Sequence, residues 1–193
     1  MWTSPKQAKI QVDNIVNTLS QASPQAKDAF TAAGKKYTDQ LEDLDKWASD
    51  SMSAVPEQDR VLFSSHDAFG YFSNEYGVKF IGSALSDFNH QQDATSSHID
   101  EQVKKVRESG AKAIFAENSN NSKSIEAIAR AAGVKAVTSD DALYGDSLGV
   151  PGSEGETYIG SIVHNINTLV SAWDSKQQPL PESLQEFDFA KRK

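Results

Sequence analysis

From Arg60 onward, short apolar runs alternate with longer stretches of helical periodicity, and this alternation constrains the fold more than any other feature. Val61-Leu62-Phe63 reads as a strand, and Ala68 to Tyr76 as a helix stopped by Gly77. Val78 to Ile81 is a second strand, and Ile99 to Ser109 a helix ending at Gly110. Ala113-Ile114-Phe115 forms a third strand. A helix over Ser122 to Ala132, closed by Gly133, leads to a fourth strand at Val134 to Val137. A Gly-rich loop then enters a last helix with an apolar stripe of Ile159, Ile162, Val163, Ile166, Leu169, Val170 and Trp173. Strands separated by helices of this length define βαβ units, hence an α/β fold with a four-stranded parallel sheet covered by helices on both faces.

What precedes the sheet is helical. Ser4-Pro5 and Ser23-Pro24 each read as an N-cap serine followed by proline in the first turn. The first helix is short, with Ala8, Val12, Ile15, Val16 and Leu19 on one face. The second carries Phe30, Tyr37, Leu41, Leu44, Ala48 and Met52 and persists to Pro56. At 1.5 Å per residue, a helix of ~30 residues would span ~45 Å. A compact domain of ~130 residues is only about 30 Å across. Either this helix is broken near Gly34, or it is a spine built to span two lobes. Three segments follow: connecting and spine helices over 1–56, an α/β lobe over 57–175, and a polar, Pro-punctuated tail over 176–193 expected to be mobile.

Composition narrows the function. The 193 residues carry a net charge of −8 with Lys and Arg scattered, which argues against a nucleic-acid partner. There is no Cys, so disulfides, thiolate metal sites and a Cys nucleophile are excluded. Export remains open, because larger exported domains do not require disulfides. No apolar run approaches the ~20 residues of a membrane span, and no signal segment opens the chain. Met1-Trp2-Thr3-Ser4-Pro5 reads as a start imposed on the middle of a longer protein.

In an open parallel sheet, ligands bind at the carboxyl edge of the strands. Ser64-Ser65-His66-Asp67 follows the first strand, Glu117-Asn118-Ser119 the third, and Asp140-Asp141 and Asp146 the fourth. His66, Glu117 and Asp146 thus come from three strand ends that the fold can bring together. An imidazole with carboxylates suits a divalent first-row metal, zinc or manganese above all. The plainer alternative has His66 capping the next helix and the acids solvated on loops. His90 and His98 are poorer candidates, and His164, beside an apolar stripe, reads as a hydrogen-bonded structural histidine. Ser65, His66 and Asp146 could be drawn as a hydrolytic triad, but there is no G-x-S-x-G elbow, and an enzyme is not expected.

Longer runs carry a resemblance. His66-Asp67-Ala68-Phe69-Gly70-Tyr71-Phe72, continuing Asn74-Glu75-Tyr76-Gly77, resembles the signature of the zinc/manganese solute-binding proteins called cluster A-I. So do Ala113-Ile114-Phe115-Ala116-Glu117-Asn118-Ser119, Tyr144-Gly145-Asp146-Ser147-Leu148-Gly149, Thr157-Tyr158-Ile159 and His164-Asn165. The likeness runs in order over residues 2 to 173. It implies two lobes joined by a long helix, with metal held between them and delivered to an ABC-transporter permease. Two His ligands would come from an N-terminal lobe, the third ligand from His66 and the fourth from Asp146. Glu117 and Asp67 would support these ligands without binding metal themselves. Relatives with His in the third position are associated with zinc, those with Glu with manganese, so His66 favours zinc. The parent would be extracytoplasmic, as a membrane-anchored lipoprotein or a periplasmic protein.

Two departures qualify the likeness. The family's second ligand lies in a His-x-Trp stretch, and Met1-Trp2 begins just past it. The loop Asp87 to Ser97 lacks the Glu-Pro-Ser stretch common before the following helix. The chain is therefore expected to be the C-terminal lobe, lacking signal and anchor, and to bind Zn2+ or Mn2+ weakly or not at all alone. Its bared helices are expected to drive self-association, through exchange of the N-terminal helices about a hinge near Gly34 or Pro56. An adhesin or interaction module without metal delivery is the alternative.

Overall fold

The computed structural model describes residues 2–85 and 96–189. Helix α1, Pro5–Ala22, starts where Ser4 accepts the Gln7 N–H at 3.4 Å. The second Ser-Pro pair behaves differently: Ser23 makes no side-chain cap bond, and Pro24–Ala26 forms a 3-10 turn before α2, Lys27–Ser53. Helix α2 runs unbroken for 27 residues, about 40 Å at the standard rise. Gly34 does not break it. A Cβ there would overlap a Val16 methyl, so the glycine lets α1 and α2 pack against each other.

Then follow β1 (Val61–Ser64), α3 (Gly70–Tyr76), β2 (Lys79–Ser83), α4 (Ser96–Ser109), β3 (Ala113–Phe115), α5 (Lys123–Ala132), β4 (Lys135–Val137) and α6 (Tyr158–Ala172). Helices α3 and α5 end on left-handed glycines, Gly77 (φ 63°) and Gly133 (φ 78°), where a side chain would be strained. The α/β class and the parallel pairing follow the sequence reading, but among the described residues the four strands do not form one continuous sheet. The strands pair as two parallel ladders, β1 with β2 and β3 with β4. Strand β1 runs beside β3 without a ladder between them. The Trp173 indole N–H takes the Val61 carbonyl at 3.2 Å. At the carboxyl end, side chains bridge the gap: the Glu117 N–H donates to Ser65 Oγ at 3.1 Å, and the His66 N–H to Glu117 Oε1 at 3.0 Å.

Alternate strand residues serve opposite faces, as the period of two requires. Leu62, Ala113, Phe115 and Val137 join one core with α2, α3 and α6, around Leu44, Phe72, Ile166 and Trp173. Val61, Phe63, Ile114 and Ala116 join a second core with Val106, Ile125 and Ile128 of α4 and α5. Residues of α1 and α2 belong to the first core, so these helices pack as part of the lobe.

The C-terminal segment, described to residue 189, packs across α2 through a 3-10 turn at Glu182–Phe187. Leu184 is fully buried, Trp47 donates to the Gln178 carbonyl at 3.2 Å, and Ser183 donates to Asp43 at 2.5 Å. Leu180 and Phe187 pack against the same core, and Gln40 of α2 donates to Glu186 at 3.0 Å. The readings of His90 and of most of the loop Asp87 to Ser97 lie outside the described residues; His98 falls within α4.

Candidate metal centre

His66 follows β1, Glu117 follows β3, and Asp146 lies beyond β4 and its short turn at Ser139–Asp141, all at the carboxyl edge of the strands. The fold brings them together. His66 Nδ1 lies 2.8 Å from Glu117 Oε2, and Nε2 lies 2.6 Å from Asp146 Oδ2. The imidazole is nearly buried and the Glu117 side chain fully so, whereas Asp146 keeps 31% of its side chain exposed. The ring therefore stands between two carboxylates instead of capping α3.

Each carboxylate is set by different elements. Glu117 uses its other oxygen to accept the His66 backbone N–H, so it grips both the main chain and the ring of one residue. Its reach across the Asp146 loop depends on Gly145, where a Cβ would overlap the Glu117 carboxylate. Asn118 donates to Ser147 Oγ at 2.9 Å, tying the loop just past Asp146 to the end of β3. Just before Asp146, Tyr144 is bound through its backbone to Asn165 of α6. Asn120 stands 3.3 Å from His66 Nδ1.

Hydrogen bonding to Glu117 raises the His66 pKa above its ordinary value; burial opposes this, and the charges of Glu117 and Asp146 add to the rise. Nδ1 is the ring atom turned to Glu117, and Nε2 is the one that faces Asp146. A donor set of one imidazole nitrogen and one carboxylate fits zinc or manganese chemically. Among the described residues, no group of three or more His, Asp and Glu side chains is arranged to hold a metal ion. The two carboxylates sit on opposite ring nitrogens and do not converge on one point.

Other residues singled out by the sequence lie elsewhere. Asp67 is exposed beside the start of α3, 4.0 Å from where a Gly70 Cβ would stand, and does not join the cluster. Ser65 Oγ accepts the Glu117 N–H. His164 is buried, with Nδ1 2.8 Å from Glu154 and Nε2 3.0 Å from the Ala142 carbonyl. Clefts of about 300 and 570 Å³ open beside His164 and beside Tyr144 and Leu148, and neither is lined by His66, Glu117 or Asp146. Sequence reasoning passed over Ser65, Asn118, Gly145 and Asn165 as supports of the cluster. Only their place in the quoted motifs could have signalled them.

The fold and this edge define the class: the chain has the TroA-like solute-binding fold. It superimposes on the periplasmic zinc binding protein TroA from Treponema pallidum with TM-score 0.80 and 30% identity, covering 91% of this chain and 63% of that one. The chain belongs to the family described as zinc-uptake complex component A, periplasmic (ZnuA), whose model matches residues 1–172. The manganese-binding lipoprotein MntA of Bacillus subtilis is 40% identical over 163 residues, which are 83% of this chain and 53% of that protein. The zinc-binding protein TroA of Treponema pallidum is 30% identical over 174 residues, 89% of this chain and 56% of that protein. The chain thus spans about half the length of the curated relatives it matches. Among the described residues, no helix is long and apolar enough to cross a membrane.

Proposed function

We propose that the protein containing this chain captures zinc or manganese outside the cytoplasm and delivers it to an ABC permease, with His66 and Asp146 as this chain's share of the metal donors. The observation that carries this reading is the His66 ring, with Asp146 on Nε2 and a fully buried Glu117 on Nδ1. Buried metal-binding histidines typically donate their second ring N–H to a carboxylate, which fixes the tautomer and strengthens the donor. Glu117 has that role here, and the cation replaces the proton between Nε2 and Asp146. Delivery needs no covalent chemistry: the ion is held, carried and released.

The choice of metal stays between two. An imidazole donor favours zinc, while the 40%-identical relative is described as manganese-binding. Two donors leave most positions to water, so the remaining ligands come from outside these residues and this chain alone binds weakly. The 40%-identical relative is described as a lipoprotein, in keeping with an extracytoplasmic, membrane-anchored parent. The adhesin alternative has no observation in its favour. The apolar residues Ile10, Ile15 and Leu19, exposed on α1, favour pairing of two copies by helix exchange. Because α2 is continuous at Gly34, the hinge falls near Pro56. Light scattering that finds only monomer at high concentration would remove the pairing.

Competitive titration with Zn2+ and Mn2+, on this chain and on the intact protein, tests the main reading. Tight binding by the intact protein, lost in His66→Ala and absent from the isolated chain, is the expected result. An intact protein that binds neither ion sinks it.

A further inference from the structure

The Asp146 carboxylate sits on a long loop between β4 and α6, and a loop of that length does not by itself place a side chain to within an ångström. The residues just before it explain how it is placed. Leu143 belongs to the sheet edge: its N–H donates to the Ala116 carbonyl at 2.9 Å, and its own carbonyl accepts the Asn118 N–H at 2.9 Å. Tyr144 is held from the opposite side. Its N–H donates to Asn165 Oδ1 at 2.8 Å, and its carbonyl accepts from Asn165 Nδ2 at 3.0 Å. A side-chain amide offers an acceptor and donors in the spacing of a peptide group, so Asn165 pairs with Tyr144 much as a neighbouring strand would.

Asn165 is 1% exposed and stands within the apolar stripe of α6, next to Ile166. A polar amide so placed is costly unless its bonds are made, and the bonds found for it go to one residue, two positions before Asp146. One residue past Asp146, Ser147 is held by Asn118. The carboxylate is therefore bracketed, with α6 fixing the approach and the end of β3 fixing the exit.

We infer that Asn165 is a positioning residue for Asp146, holding the Tyr144 backbone so that the carboxylate meets His66 Nε2. This rests on the reading of His66 and Asp146 as metal donors. Leucine or alanine at 165 would leave the Tyr144 N–H and carbonyl without their partner. Aspartate would keep the acceptor and lose the donor, so the order of effect is Asn165→Ala above Asn165→Asp above wild type.

The test uses the intact protein, with Zn2+ as the probe and two readouts. Amide hydrogen exchange of residues 143–147 in the metal-free protein reports whether Asn165 holds the loop. Competitive titration reports whether that hold matters to the ion. Asn165→Ala is expected to speed Tyr144 exchange at least tenfold and to weaken Zn2+ binding by roughly ten- to a hundredfold, as outer partners of metal ligands do. Leu184→Ala, in the docked C-terminal segment, is the control: it lowers Tm and leaves both readouts unchanged. The inference is overturned if Asn165→Ala weakens Zn2+ no more than Leu184→Ala, or if Tyr144 stays protected. Should Asn165→Ala not fold, Asn165→Leu, which also removes both partners of Tyr144, carries the same two readouts. If the wild type binds neither Zn2+ nor Mn2+, the metal reading falls, and Tyr144 exchange alone decides whether Asn165 holds the loop.

Discussion

Two buried histidines, His66 and His164, are equally hidden from solvent, each 5% exposed, and each has both ring nitrogens engaged. Their partners differ in kind. His66 lies between two carboxylates, one locked behind the ring and one on a partly exposed loop. His164 joins the Glu154 carboxylate to the Ala142 carbonyl, and packs edge-on against the Tyr144 ring at a centroid distance of 4.9 Å. A proton between imidazole and carboxylate can be exchanged for a cation, because the carboxylate supplies compensating charge. A proton between imidazole and a backbone carbonyl ties a helix to a loop and offers a cation no such charge. Burial does not distinguish the two rings; each has one carboxylate partner, and they differ in the second, a carboxylate for His66 and a backbone carbonyl for His164.

The strongest way to break this comparison is to remove each ring in turn. In the intact protein, His66→Ala should cost more than about a hundredfold in Zn2+ or Mn2+ affinity, beyond the ten- to hundredfold typical of outer partners. His164→Ala should keep affinity within about tenfold, and lower stability by roughly 1–3 kcal/mol through the acceptors left behind. Competitive titration and chemical denaturation of both variants measure this; equal losses of affinity would erase the distinction.

Glu117 comes next. Glu117→Gln keeps an acceptor for the His66 backbone N–H but loses the charge behind the ring. Metal affinity should fall by about ten- to a hundredfold with little unfolding, since the ring loses its orienting partner and not its donor atom. If affinity is unchanged, Glu117 supports the fold alone, and the two histidines resemble each other more than the geometry implies.

How much of this was legible beforehand depends on range. The strand and helix runs were readable because periods of two and 3.6 are local properties, and His66 and Glu117 were locatable because each closely follows a strand, whereas Asp146 was locatable only as a residue of the loop after the last one. The failures lie where distant residues intervene. The β1 and β3 strands do not form a ladder, and the Val61 carbonyl is instead taken by Trp173, 112 positions away in sequence. The packing of the C-terminal segment was not legible because its partners on α2, Trp47 and Asp43, lie 131 and 140 positions away in sequence. Asn165 within an apolar stripe gave no hint of what it grips. Glycine at 145 was readable as a loop residue, but not as the gap through which Glu117 reaches.

That gap allows a sharper test than deletion. Gly145→Ala should cost roughly 1–3 kcal/mol by overpacking against Glu117. Adding Glu117→Ala should recover part of that loss, since it removes the atoms that clash. A double-mutant cycle by denaturation would give a favourable coupling between the two sites. Strict additivity would mean that the loop and the carboxylate do not touch in solution.

The smallest effect is that of pH on His66. His66 has a raised pKa in the folded chain, chiefly through its bond to Glu117. Its protonation therefore adds stability that is fully present below the unfolded value of about 6.5 and is lost as pH rises through the folded value. Metal binding runs the other way, because the proton on Nε2 must leave before a cation can enter. Over that window the metal-free protein should become slightly less stable with rising pH while affinity rises, by at most about tenfold per pH unit for one proton. Glu117→Gln should move both changes to lower pH, since it removes the main cause of the shift. Thermal melts and metal titrations at matched pH values follow the two together. Affinity that stays flat while stability falls would mean that the proton on His66 and the metal do not share a site.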